Sequence, residues 1–388
     1  MFKWSTWGAA LLCVCFTTLV SAQQNVQVAK QPTPRHAPAL PAKPTGPDEA
    51  EREARINNWT IGLAGGLLEG SFVRYAADLA KVLDDGDNLR VLPLVSYGAV
   101  SNVTDLVYLK GVDVAITYAD VLDYYKNIDK IPNINQRVNY IVPLFQGEVH
   151  VYARPEIKSL QDLRGKKVNF NTVGSAANYT GGIVFDRLGI PVERLFLNNS
   201  VALDGMNKGD IAALIHVVAK PNELFTQLKP SPGFHFLPIE FTDKFKDYYV
   251  PAEFSTADYP QLVGRDETVP TISVPAVLAV YNWRQDSDRF RRCARFVEYL
   301  YERFDRLRSP PFQPGWKETN LAGVIPGWTR FPRMQTLLDT AAAQAKSTGP
   351  AIDTRLARAQ AARAAPSDNA EQERLFQQFL EWSKQKKR

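Results

Sequence analysis

The chain has 388 residues, a formal net charge of +5 and 45% hydrophobic residues, enough for two compact lobes with cores of their own. Basic residues are not interleaved with aromatics in a stripe, and part of the positive excess sits at the end, Lys384 to Arg388, so a nucleic-acid platform is excluded. Three cysteines and four histidines, none in a metal-ligand spacing, exclude a disulfide scaffold and a zinc centre.

Met1 to Ala22 carries one positive charge, Lys3, an apolar run from Trp7 to Val20 and small residues before Gln23. That is the pattern of a secretory signal removed from the mature chain. The run is short for a membrane span, and an uncleaved signal would leave a tethered form. Loss of Lys3 takes the net charge from +5 to +4. Cys13 and Cys15 leave with it, so the remaining thiol, Cys293 in a helical pattern, reads as a buried one. Residues 23–57 hold Pro32, Pro34, Pro38, Pro41, Pro44 and Pro47 with few large apolar residues, and read as a semi-extended linker.

The globular part starts near Trp59. Trp59 to Ala64 is a short strand, and Phe72, Tyr75, Ala76, Leu79, Ala80 and Leu83 repeat at helical spacing. Leu89 to Val95 is a second strand, Asn102 to Leu109 a helix with Ser101 at its N-cap, Val112 to Thr117 a third strand, and Asp120 caps the next helix. Alternation of this kind predicts a parallel sheet covered on both faces. The plan then restarts. Tyr140 to Leu144 and Glu148 to Ala153 are strands, Ser159 to Gly165 is a short helix, and Lys167 to Phe170 is a strand. A helix from about Tyr179 to Leu188 and a strand from Ala212 to Val218 complete the second unit. Thr271 to Tyr281 is strand-like, and Asp286 to Phe304 is a helix rich in arginine and aromatics. The segment after Ala341 is low in complexity and ends in an amphipathic helix, which Asp368 and Glu371 would open as a capping box and which presents Leu375, Phe376, Phe379, Leu380 and Trp382.

A chain that leaves one α/β lobe, builds a second and returns makes two lobes facing a cleft. The division is 58–145 with 240–335 for lobe I, 146–239 for lobe II, and 336–388 for the tail. Crossovers near Pro143–Val151 and Phe236–Phe254 would serve as a two-strand hinge.

In open α/β sheets ligands sit beyond the carboxyl ends of the strands. Four loops take that position. Gly65 to Ser71 places Glu69, Gly70 and Ser71 at a helix start whose free N–H groups attract anions. Glu69 either stabilises that helix end or receives a cationic group such as an ammonium. The second loop offers Ser96, Tyr97, Gly98, Ser101 and Asn102, the third Tyr118 as a wall, and the fourth Ser175, Asn178 and Tyr179. Gly65 and Gly70 have the spacing of a phosphate loop, but Ser71-Phe72 stands where a nucleotide site needs lysine and a hydroxyl, so no phosphate and no cofactor is expected.

"GAVSNV", "ITYADV", "LRGKKVNFNTVGS", "VGSAANYTGG", "GDIAALIHV" and "PGWTRFP" occur at family-like spacing. From about Ile61 to Pro332 the chain resembles the solute-binding subunits of tripartite ATP-independent periplasmic (TRAP) transporters, in their TAXI subfamily. The resemblance implies a type II periplasmic binding-protein fold and a periplasmic location. It also implies capture of a small solute, such as an organic acid or amino acid, for delivery to membrane permease subunits. The contact loops depart from the family: Ala99 replaces a serine, Thr117-Tyr118-Ala119 precede Asp120 where the family has V-Q-S, and Ala176-Ala177 follow Gly174-Ser175 where it has G-T. A buried ligand oxygen without its partner costs roughly 1–3 kcal/mol, so the departures imply an atypical solute or a member that no longer transports. A periplasmic sensor or interaction protein is the alternative. His150 and His216 fall in strand-like runs as satisfied histidines, no G-x-S-x-G elbow occurs and no carboxylate pair is recognisable, so the reading is of a binding protein and not an enzyme.

Overall fold

In the computed structural model, residues 47–127, 131–229, 232–348, 358, 361 and 369–385 are described. The signal at 1–22, the linker prolines up to Pro44, and Asp368 lie outside them. The linker expectation fails at its end. Pro47–Asn58 is a helix, α1, with proline at its first position, Asp48 and Glu49 in its first turn and Arg55 in its last. Those placements favour a helix, and the prolines before it had outweighed them.

The first buried run becomes β1 (Thr60–Gly66), and Gly62 is required there because a Cβ would lie 1.6 Å from the Gly111 carbonyl oxygen. α2 (Ser71–Leu83) buries Phe72, Tyr75, Ala76, Leu79, Val82 and Leu83 on one face. β2 (Arg90–Val95) and β3 (Val114–Tyr118) run parallel to β1 on its two sides, with α3 (Ala99–Tyr108) and α4 (Val121–Asn127) following the second and third strands. β4 (Val138–Ala153) is one strand of 16 residues where the sequence suggests two. The interruption at Phe145-Gln146-Gly147 does not break it, because β10 (Thr268–Tyr281) pairs along most of its length.

The second half holds β5 (Lys167–Asn169), α5 (Gly182–Leu188) entered through a π-turn at Ala177–Gly181, β6 (Glu193–Leu195), α6 (Asn199–Lys208) and β7 (Ala213–Val218). β8 (His235–Phe236) and β9 (Val250–Ser255) attach to β4 and β10. The strand order is β2-β1-β3-β10-β4-β7-β5-β6. β3 pairs with the Ala276–Val280 part of β10, whereas β7 pairs with the Glu148–Ala153 part of β4. At about 3.3 Å per residue, the two antiparallel long strands reach from one half to the other.

The return connection is therefore β10, not Phe236–Phe254. Phe236 and Phe254 pack with Tyr152, Phe225 and Tyr259 in an aromatic cluster on the second half. α7 (Asp288–Leu307), capped by the Ser287 hydroxyl, packs on the first half and buries Cys293, Phe296, Val297, Leu300 and Leu307. Each such apolar side chain contributes about 1.5–3 kcal/mol. Burial raises the Cys293 thiol well above its usual range, so it is inert as well as hidden. α8 (Pro332–Thr348) and α9 (Asn369–Gln385) occupy the tail. In α9, Phe376 packs with Ala361 under the Arg358 guanidinium, and the side chains of Phe379, Leu380 and Trp382 fall outside the description. Among the described residues no helix is long and apolar enough to cross a membrane.

Candidate functional site

Loops from both halves meet over the long strands. Gly66 and Gly98 take φ values of +124° and +117° that side-chain-bearing residues rarely adopt, and Gly98 lies so close to the other half that a Cβ would sit 3.2 Å from Ser175 Cα. Across the junction the Val100 N–H donates to the Gly174 carbonyl at 3.3 Å, and the Ala219 N–H donates to Ser71 Oγ at 3.2 Å. Ser71 thus serves the opposite half and does not cap its own helix, whose N-cap is Gly70. Ser101 is likewise no cap: α3 starts at Ala99 with Gly98 before it.

Between the loops lies a cavity of about 40 Å³, lined by Gly70, Ser71, Tyr97, Gly98, Tyr118 and Ser175 of the expected residues. Phe72, Asn171, His216 and Val217 join them. That is room for about three waters, far below the roughly 300–1,000 Å³ of an ordinary ligand pocket. Tyr118 fills the space. Its ring lies 4.8 Å from Phe72, a Cβ on Gly147 would strike its hydroxyl at 2.2 Å, and that hydroxyl donates to the Val217 carbonyl at 3.4 Å.

The other expected residues do other work. Asn102 is fully buried, donating to the Ile116 carbonyl at 2.6 Å and accepting from the Ser96 hydroxyl, so it ties the second loop to β3. Tyr179 donates to the Asp120 carbonyl at 2.6 Å. Ser96, Ser101 and Asn178 face a separate groove of about 400 Å³. Asn178 also accepts from the Gly174 N–H at 3.3 Å. Asp120 is no simple cap: its Oδ2 accepts from Thr180 at 2.8 Å and Tyr249 at 3.0 Å, and burial pushes its carboxyl up to about 6.

Glu69 stands at the rim, where Oε1 accepts from Asn171 at 3.2 Å and Asn199 at 3.4 Å, both from the second half. This chain of bonds reaches His216. A carboxylate only accepts, so the Asn199 amide nitrogen faces it, and the second amide hydrogen points to His216 Nδ1 at 3.4 Å. Burial lowers His216 to about 4, so the ring is neutral with its proton on Nε2. That Nε2–H is buried, has no partner and belongs to a residue lining the cavity. Sequence reasoning missed His216, because a histidine in a buried strand carries no local signal of an unmet donor. His150 shows the satisfied case: Nδ1 meets the Glu148 carbonyl at 2.9 Å, Nε2 meets the Tyr259 hydroxyl at 2.7 Å, and the ring lies between Phe225 and Phe254.

Two parallel strand–loop–helix halves, joined through a pair of long antiparallel strands with loops converging on a shared cavity, define the type II periplasmic binding-protein fold. Residues 66–322 match the NMT1-like family, and the chain belongs to it. No curated protein matches the chain. Solved structures that the chain matches include an ancestral arginine-binding protein bound to arginine, at 17% identity over 63% of this chain and 93% of that one, with a TM-score of 0.38. An amino acid ABC transporter substrate-binding protein from Streptococcus pneumoniae bound to L-arginine is 12% identical over 69% and 96%, TM-score 0.39. A Xanthomonas citri protein bound to ATP is 12% identical over 74% and 96%, TM-score 0.41.

Proposed function

We propose that the protein is an extracytoplasmic solute-binding protein, a TAXI-type receptor that captures a small organic solute between its halves and delivers it to the permease subunits of a TRAP-type transporter. The observation that carries this reading is the unmet His216 Nε2–H on a cavity enclosed by loops of both halves. A donor held neutral in such a place has use for an oxygen that arrives with a ligand. Among the described residues no lysine or arginine lines that cavity, and the solute is one that offers a carbonyl or carboxylate oxygen to neutral donors: His216, the Ser71 and Ser175 hydroxyls and backbone N–H groups. In this reading the bonds across the junction, Val100 to Gly174 and Ala219 to Ser71, belong to a closed form. A solute enters when the halves separate about β4 and β10, with lobe I at 58–145 and part of 240–335, and lobe II between them extended through the aromatic cluster. Closure is favoured by contacts on both halves, in proportion to their differential affinity.

Secretion by the N-terminal signal and a non-catalytic role belong to the same proposal. The filling of the cleft by Tyr118 favours a second reading, a periplasmic sensor or interaction protein whose closed form docks a partner without cargo. Native mass spectrometry of protein purified from its host separates the two. Cargo capture predicts an added mass that disappears on denaturation and is lost in His216→Phe. Bare protein in both samples supports the sensor and ends the transport reading.

A further inference from the structure

A second cavity, about 450 Å³, shares only Ser71 with the cleft lining. Arg74 on α2 closes it from the first half, Lys220 and Glu223 from the second, and Glu148 on β4 and Glu318 face it between them. Its charges do not balance. Arg74 is held bidentate by Glu223, with both N–O distances 2.5 Å. The Lys220 ammonium lies 3.1 Å from Asp258 and also donates to the Glu253 carbonyl. Among the described residues neither Glu148 nor Glu318 is ion-paired with a lysine or arginine. Glu148 is only 6% exposed, and its Oε2 accepts from the Lys220 N–H at 3.0 Å. A buried carboxylate without a counter-charge is costly. The Tyr75 and Phe145 rings, packed on each other 4.0 Å apart, form the apolar floor of the chamber.

We propose that this chamber binds a small organic cation, an amine or guanidinium, held between the Glu148 and Glu318 carboxylates. The described residues hold no group of three His, Cys, Asp or Glu side chains able to take a metal ion, and the volume suits an organic molecule. The proposal goes beyond the cleft reading and does not depend on it. Because the Arg74–Glu223 pair spans the two halves at the chamber edge, a bound cation bears on how readily they part.

The proposal also carries a pH dependence. Burial, with a further push from the Glu318 charge, raises Glu148 to about 8, while Lys220 opposes the shift, and the Tyr75, Tyr118 and Tyr259 side chains face the same carboxyl. The cation binds the ionised form, so its affinity rises with pH up to about 8 and levels off above. Calorimetric titration of the full-length protein with agmatine, and separately with putrescine, tests this at pH 6.5 and 8.5. Expected is binding that is about tenfold or more tighter at pH 8.5. Glu148→Gln should weaken it at least tenfold and flatten the pH response. Glu318→Gln, at an exposed position, should weaken it several-fold without altering thermal unfolding, and this result decides the matter if Glu148→Gln does not fold. Absence of binding by both cations at pH 8.5, or equal affinity in the two variants and the parent, overturns the proposal. Either result leaves the cleft reading standing, since that is read from the co-purifying mass and the His216→Phe loss.

Discussion

The cleft and the chamber beside it are built from neighbouring stretches of the same chain, yet they have opposite character. In the cleft, most donors and acceptors from the two halves satisfy one another, Tyr118 fills the middle, and about 40 Å³ remains beside the unmet His216 N–H. In the chamber, about 450 Å³ is open, and two carboxyls have no lysine or arginine partner among the described residues. Complementary surfaces close on each other when their polar groups match. Around the chamber the carboxyls of Glu148 and Glu318 find no such match, and the space stays open. The difference teaches that closure in this fold is decided group by group, and that space alone does not mark where a ligand belongs.

Five substitutions would break or sharpen that contrast. The largest effect is expected for Tyr118→Ala, which removes a fully buried ring from between Phe72 and Gly147. A loss of about 3–5 kcal/mol in denaturant unfolding is expected, and a loss under 1 kcal/mol would mean that the cleft is not filled as described. Next is the pH response of Glu148. Its folded value, about 8, lies above the usual 4.5, so its contribution is fully present below pH 4.5 and is lost as pH rises towards 8. The parent should lose on the order of 1 kcal/mol per pH unit across that window relative to Glu148→Gln, and parallel unfolding curves would remove the buried carboxyl from the account. Asn199→Ala should cost about 1–2 kcal/mol by leaving the buried His216 Nδ1 without its donor and Glu69 with Asn171 alone, whereas His216→Phe should cost less, because it removes the unmet donor as well. The smallest effect belongs to Arg74→Ala. That pair is 35% and 52% exposed, so stability should change by less than about 1 kcal/mol, while solution scattering should show a larger radius as the halves part more readily.

Much of the frame was legible in the sequence. The 3.6-residue spacing of Phe72 to Leu83 marked α2 almost residue for residue, and the neighbouring strands within about two residues, whereas α3 starts three residues before its expected place and α1 was read as linker. The second half was read less well. β6 and α6 have weak local patterns, with Glu193–Leu195 only half-buried and Asn199–Lys208 rich in polar residues. The true return strand was hidden because Phe236 and Phe254 look like sheet core and are, in a different cluster. In the site, Gly98, Tyr118 and Ser175 could be found because loop position alone places them. Asn171, Asn199 and His216 could not, since their role is a chain of bonds between residues far apart in sequence. Asn102 misled for the same reason: its amide looks available in the loop and is fully spent on Ile116, Ala64 and Ser96.

The central claim is that two halves close on a solute about the β4–β10 pair. Spin labels on Leu68→Cys and Val201→Cys, in protein with Cys13 and Cys15 replaced by serine, test it most directly, because both positions are at least half exposed and Cys293, the thiol among the described residues, is buried beyond labelling. Pulsed dipolar distances should show a long and a short population in purified protein, and a small-molecule extract of the host should shift them to the short one. A single distance that no extract alters would contradict the account.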